Sequence, residues 1–133
     1  MSESRNPKLA TILSAAAATS TGNTIFGIDH RNILIEVTTA GFTGTVKLKG
    51  ALGNTPPDFS ASASATNAWD TITVVPYADT ATPVAGATGL VFSGDSGAHI
   101  YELNTNDLDY FTAGVTAYTA GTVTVKARLV NNQ

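Results

Sequence analysis

The feature that most restricts the fold of this chain is a two-residue alternation of apolar and polar side chains that returns between glycine- and proline-rich breaks. Ile33, Ile35 and Val37 alternate with Leu34, Glu36 and Thr38, and Val46 and Leu48 alternate with Thr45, Lys47 and Lys49. Near the C-terminus Val123, Val125, Ala127 and Leu129 alternate with Thr122, Thr124, Lys126 and Arg128. Successive side chains of a strand point to opposite faces, so each run predicts a strand with one buried and one wetted face. Gly41-Phe42-Thr43-Gly44 reads as the turn of a hairpin joining 31–40 to 45–49, and Gly94-Asp95-Ser96-Gly97 as a turn between 90–93 and 99–104. Ala120-Gly121 reads as a third, between 109–119 and 122–130.

The remaining segments fit the same class. Trp69 to Tyr77 predicts a strand whose end Pro76 keeps from the sheet centre. Phe59 to Ala65, after the Asn54-Thr55-Pro56-Pro57-Asp58 break, reads as an edge strand or a loop; the small residues of the Ser60–Ala65 tract suit a close-packed edge, a subunit contact or a surface loop. From Leu9 to Thr19 two readings stand. Leu9, Ile12, Leu13 and Ala16 fall at helical spacing behind Asn6 and Pro7, but a strand agrees better with the rest of the chain. About eight short strands at roughly ten-residue spacing predict an all-β fold: a single antiparallel β-sandwich, jelly-roll-like. At 133 residues this is one domain, here residues 9–133, preceded by a short flexible arm over residues 1–8.

Only 13% of residues are charged, about half the usual share, and Thr, Ser, Asn and Gly supply the polarity instead. The net charge of −3 offers a phosphate backbone no positive field, so nucleic acid is not expected as a partner. There is no cysteine, which excludes disulfides, thiolate metal sites and cysteine nucleophiles. The longest apolar stretch, Leu9 to Ala18, is interrupted by Thr11 and Ser14 and is too short for a bilayer span. Met1-Ser2-Glu3-Ser4-Arg5 does not resemble the start of a secretory signal. The expectation is a soluble chain, made without export and without a membrane.

Candidate chemistry is sparse. His30 and His99 stand beside predicted strands, with no Gly-x-Ser-x-Gly elbow or His-Glu-x-x-His helix to suggest nucleophilic or zinc chemistry. Among the acids, two of Glu36, Asp58, Asp70, Glu102 and Asp109 would have to meet in a cleft for glycosidase chemistry, and strand-end or polar-face positions suit solvated charges better. Asn104-Thr105-Asn106-Asp107-Leu108-Asp109 is oxygen-rich, yet Leu108 stands where a calcium ligand should be, so an Asx-rich turn is expected. Gly86-Ala87-Thr88-Gly89 lacks the lysine of a phosphate loop. Trp69, Tyr77, Tyr101, Tyr110, Phe111 and Tyr118 read as core aromatics, with a sugar-stacking platform as the rival use. No enzyme, cofactor or metal site is expected.

One stretch resembles a known class. Thr38-Thr39-Ala40-Gly41-Phe42-Thr43-Gly44-Thr45-Val46-Lys47-Leu48-Lys49-Gly50 is similar to the Gly-Thr-Val hairpin that recurs in small virion proteins of tailed bacteriophages. Pro57-Asp58-Phe59-Ser60, Asn67-Ala68-Trp69-Asp70, Tyr101-Glu102-Leu103-Asn104-Thr105-Asn106 and Tyr118-Thr119-Ala120-Gly121-Thr122-Val123-Thr124-Val125-Lys126 follow in the order of that class. The resemblance covers most of the chain from about Leu9 onward. It implies a non-enzymatic virion component, with capsid decoration or cement proteins, head fibres and tail-associated sandwiches all in the class. Of these the preferred expectation is a capsid decoration protein on the capsid surface, a homo-oligomer with a trimer as one option, with the major capsid protein or another virion protein as partner. The alternative within the class is a tail- or fibre-associated module that binds a receptor or carbohydrate.

Arg5 and Lys8, in the arm, are the candidate partner contacts, ordering on docking. Removal of residues 1–8 is expected to weaken binding to particles while leaving Tm nearly unchanged. A large fall in Tm would make the arm part of the fold.

Overall fold

A computed structural model describes residues 8–26, 33–103 and 108–129. Its strands are β1 (Lys8–Ala16), β2 (Ser20–Thr21), β3 (Ile25–Phe26), β4 (Ile33–Ala51), β5 (Asp70–Thr71), β6 (Val74–Pro76), β7 (Leu90–Asp95), β8 (Ala98–Leu103) and β9 (Tyr110–Leu129). All pairings are antiparallel, and no helix occurs among the described residues. The all-β, sandwich-like class expected from the alternation is the observed one. Leu9 to Ala16 is strand rather than helix.

The three hairpins expected at the glycine breaks are absent, and a single device replaces them. β4 runs unbroken through Gly41–Gly44, and β9 runs unbroken through Ala120–Gly121; the two pair with each other from Leu34↔Arg128 to Ala51↔Tyr110. Register shifts fall between Ala40 and Val46, so the long ribbon bends there instead of reversing. β7 and β8 pair not with each other but with consecutive stretches of the same β4 edge, at Phe42–Val46 and Ile33–Thr38. Gly94–Gly97 carries the chain around the same bend. Gly41, Gly94 and Gly121 all hold positive φ, at 58°, 57° and 79°. Local turn chemistry is therefore real at all three sites, but the neighbours across the ladder make it a corner.

The corner divides the sheet into two layers. One consists of β1, the C-terminal half of β9, the N-terminal half of β4, β8 and β6. The other consists of β2 and β3 against the N-terminal half of β9, with the C-terminal half of β4, β7 and β5. Their inner faces share one core. Ile33, Ile35, Val37, Leu103, Val123 and Val125 come from the first layer, and Val46, Leu48, Leu90, Phe111 and Val115 from the second. Along β4 the positions buried in this core are odd up to Val37 and even from Phe42 to Leu48. The bulge moves the inward set by one residue, which keeps both halves facing the same core.

The second layer is covered on part of its outside. The segment after β4 returns over it, so that Phe59 and Trp69 pack against Ala51 and Tyr110. Lys49 lies beneath, its Nζ donating to the Phe59 carbonyl at 2.9 Å and standing 4.6 Å from the Trp69 ring centre. Burial, with Lys47 as a lesser cause, pushes the Lys49 ammonium below the usual lysine range. Asn67 closes the loop by accepting from the Asp58 amide and donating to the Asp58 and Ser62 carbonyls. The Ser60–Ala65 side chains remain exposed on this pinned loop. The expected strand from Trp69 to Tyr77 is split into β5 and β6, which pair with different partners.

A Cβ at Gly121 would overlap the Gly41 carbonyl, whereas one at Gly94 would meet nothing. Gly121→Ala is therefore expected to cost roughly 2–5 kcal/mol from strain plus overlap, and Gly94→Ala about 1–2 kcal/mol from its backbone conformation alone. Urea denaturation of the two variants measures the difference.

Candidate functional site

Two groups of side chains stand out once the layers are built. The first lies at the corner. Thr39 donates its hydroxyl to the Asp95 carboxylate and accepts from the Gly97 amide at 3.0 Å. His99 Nε2 lies 2.8 Å from the same Asp95 oxygen, and its ring packs beside Phe92 and Tyr101. Ser96 Oγ accepts from the Gly41 amide, and Thr43 Oγ1 from the Gly94 amide. The Tyr118 hydroxyl closes the far side by donating to the Gly121 carbonyl. Each hydroxyl is bound to backbone or carboxylate, so the arrangement ties the 94–97 segment to β4. The Thr39 hydroxyl first, then His99, hold the Asp95 carboxyl below the usual carboxylate range.

The second group is the outer face of the first layer, which no segment among the described residues covers. Cross-strand register places Arg128, Leu34 and Glu102 in one row, and Lys126, Glu36 and Ile100 in the next. Leu9 on β1 extends the first row beside Arg128, and Tyr77 stands beyond Ile100, its amide bound to the Ile100 carbonyl. Leu9 is 61% exposed and Ile100 43%, high values for apolar side chains on a sheet. Ile100 forms a ridge between two hollows, one lined by Leu9, Leu34, Glu36 and Arg128, the other by Pro76, Tyr77, Ala78 and His99. Basic residues occupy β9 and acidic ones β4 and β8. Among the described residues none of Glu36, Glu102, Lys126 and Arg128 has an ion-pair partner within 4.0 Å.

The residues singled out in the sequence are scattered. Arg5, His30 and Asn104–Asp107 lie outside the described residues. Lys8, assigned to the arm, is the first residue of β1, where its backbone faces Leu129; strand pairing begins one position earlier than the polar run suggested. Asp58 accepts from Ser60 in the covering loop, Asp70 from the following Thr71 amide, and Asp109 from the Gly53 amide. Of the five acids, Glu36 and Glu102 come to diagonal positions, but on an open face. Gly86 is buried against the backbone of Thr71 and Ile72, a close contact that leaves no cradle for phosphate. Tyr101, Tyr110 and Phe111 are buried. Trp69 is half-buried, donating through Nε1 to the Ala61 carbonyl with Lys49 over its ring. Tyr77 is the exposed aromatic of the set.

The structure matches the crystal structure of the SPBc2 prophage-derived protein YomS, with a TM-score of 0.72 over 98% of each chain. The fold is that of YomS. At 13% sequence identity the likeness is one of fold. No protein-family model matches the chain, and no curated protein sequence does.

The depressed Asp95 carboxyl gives the corner a pH dependence. A carboxyl whose folded pKa lies below its unfolded value of about 3.9 adds stability above that value and loses it as pH falls through the folded pKa. Asp95→Asn is thus expected to lower Tm at neutral pH and to flatten its fall below about pH 4. Parallel Tm–pH curves for the two proteins check this. An unchanged acid limb would show that the Asp95 contacts do not hold the corner.

Proposed function

We propose that the chain is a non-enzymatic structural protein of a phage particle, and within that class a decoration protein that binds and stabilises the capsid lattice. The observation that carries this reading is the end-to-end fold match to a protein of prophage origin. It agrees with the sequence resemblance to small phage virion proteins. Two features of the molecule support it. The corner polar groups are engaged in holding the fold, and the outer face of the first layer, uncovered among the described residues, suits a partner of similar flatness. In this reading Arg5 in the N-terminal arm and Lys8 at the start of β1 contact the major capsid protein, and the body assembles with its own kind. Many weak contacts on a repeating lattice then add up to firm attachment.

A tail- or fibre-associated carbohydrate-binding module is the rival. Trp69 suits that use poorly because its ring already carries Lys49, which leaves Tyr77 as the aromatic with an open face.

Quantitative mass spectrometry of purified particles, taken relative to the major capsid protein, tests the reading. A ratio near one, or a simple large fraction of it, is expected for a decoration protein. A few copies per particle would move the chain to a tail or fibre, and absence from particles would overturn the virion role.

A further inference from the structure

The outer face of the first layer combines three properties. It is apolar at Leu9, Leu34 and Ile100, it carries charges of opposite sign on opposite sides of β4, and those charges are unpaired within the described chain. On the second layer the chain's own 52–69 segment covers the end of the outer face around Lys49, Ala51 and Tyr110, while Val91 on β7 stays 68% exposed. A sheet face left both apolar and charge-striped is built for an opposing surface.

The charge pattern specifies which surface. Strands lie about 4.8 Å apart, so Arg128 on β9 and Glu102 on β8 stand on either side of Leu34, roughly 10 Å from each other. A two-fold axis running along β4, in the plane between two facing copies, exchanges left for right. It sets β9 of each copy over β8 of the other. Arg128 then meets Glu102 reciprocally, and Leu34 meets its own equivalent. Ile100 of each copy then lies over the aliphatic stem of Lys126 of the other, because Lys126, Glu36 and Ile100 share a row. Glu36 comes beside its own equivalent, with Lys126 of each copy across the strand to balance the pair. A partner of uniform charge would satisfy only one of the two stripes.

We infer that two copies of this chain associate face to face through the outer surface of β1, β9, β4, β8 and β6, with Arg128 of each copy paired to Glu102 of the other and Ile100 of each set against the stem of the other's Lys126. The interface is isologous, since one patch serves both sides. This differs from the trimer that the virion class suggests. It does not rest on the virion reading, because it concerns the isolated protein and would hold whatever the particle location.

Sedimentation velocity of the full chain over a concentration series tests it, with circular dichroism to confirm that each variant keeps its strand signal. The wild type is expected to show a reversible monomer–dimer equilibrium that weakens with added salt. Ile100→Lys, Arg128→Glu and Glu102→Arg are each expected to weaken association about tenfold or more. The double variant R128E/E102R restores association to near the wild-type level, because the charges are exchanged between facing stripes; a role confined to folding would not produce this rescue. The inference is overturned by a monomer at all concentrations up to about 1 mM, by a trimer, by single variants that associate as the wild type does, or by a double variant no better than the singles. Copy number in particles is read separately, so each proposal fails by its own measurement.

Discussion

The approach of the Gly121 backbone to the Gly41 carbonyl is the contact on which the rest of the molecule depends. It lets two strands of nineteen and twenty residues bend together without losing their pairing. A side chain at Gly121 would push them apart where the sheet must fold over itself. Because the bend occurs within both strands at once, β7 and β8 are also carried around it as consecutive segments on one edge. The core follows directly. Both layers belong to the same long ribbon, so their inner faces oppose each other and share one apolar cluster.

Polar groups at the bend secure that geometry. Thr39, Ser96 and Thr43 on one side, and Tyr118 on the other, satisfy backbone groups at the bend, and Asp95, itself held by His99, fixes the Thr39 hydroxyl. The same logic governs the loop over the second layer. A lysine inside a small protein is costly unless its donors are used. Lys49 spends its charge on the Phe59 carbonyl and the Trp69 ring, and so fixes the loop that hides it. One outer face is thereby partly covered from within. The other leaves Leu9 and Ile100 exposed beside its charged rows.

The outer face of the first layer shows how far residue patterns reach. Leu34, Glu36, Lys126 and Arg128 were each legible as outward-facing positions of alternating strands, and Ile100 is outward by the same rule once Tyr101 and Leu103 are inward. That they form two rows was not legible. The rows require β8, β4 and β9 to be neighbours in one register, and these strands are separated by long stretches of sequence. The Asp95–His99 contact was likewise hidden, since four-residue spacing means little in strands unless a corner intervenes. The resemblance to phage virion proteins rested on short segments that the structure assigns to bend and ladder alike.

By itself the sequence determined the class of the fold and the inward residue sets of its strongest strands, because period-two burial is a local property of the extended backbone. It also marked Gly41, Gly94 and Gly121 as places where the chain departs from ordinary strand conformation. Only the tertiary structure decided what that departure does. A glycine at positive φ serves a hairpin or a bulge equally well, and the choice depends on which strand lies alongside. Here β4 and β9 lie alongside each other over nearly their whole lengths, so three apparent reversals became one corner and one ribbon became two layers.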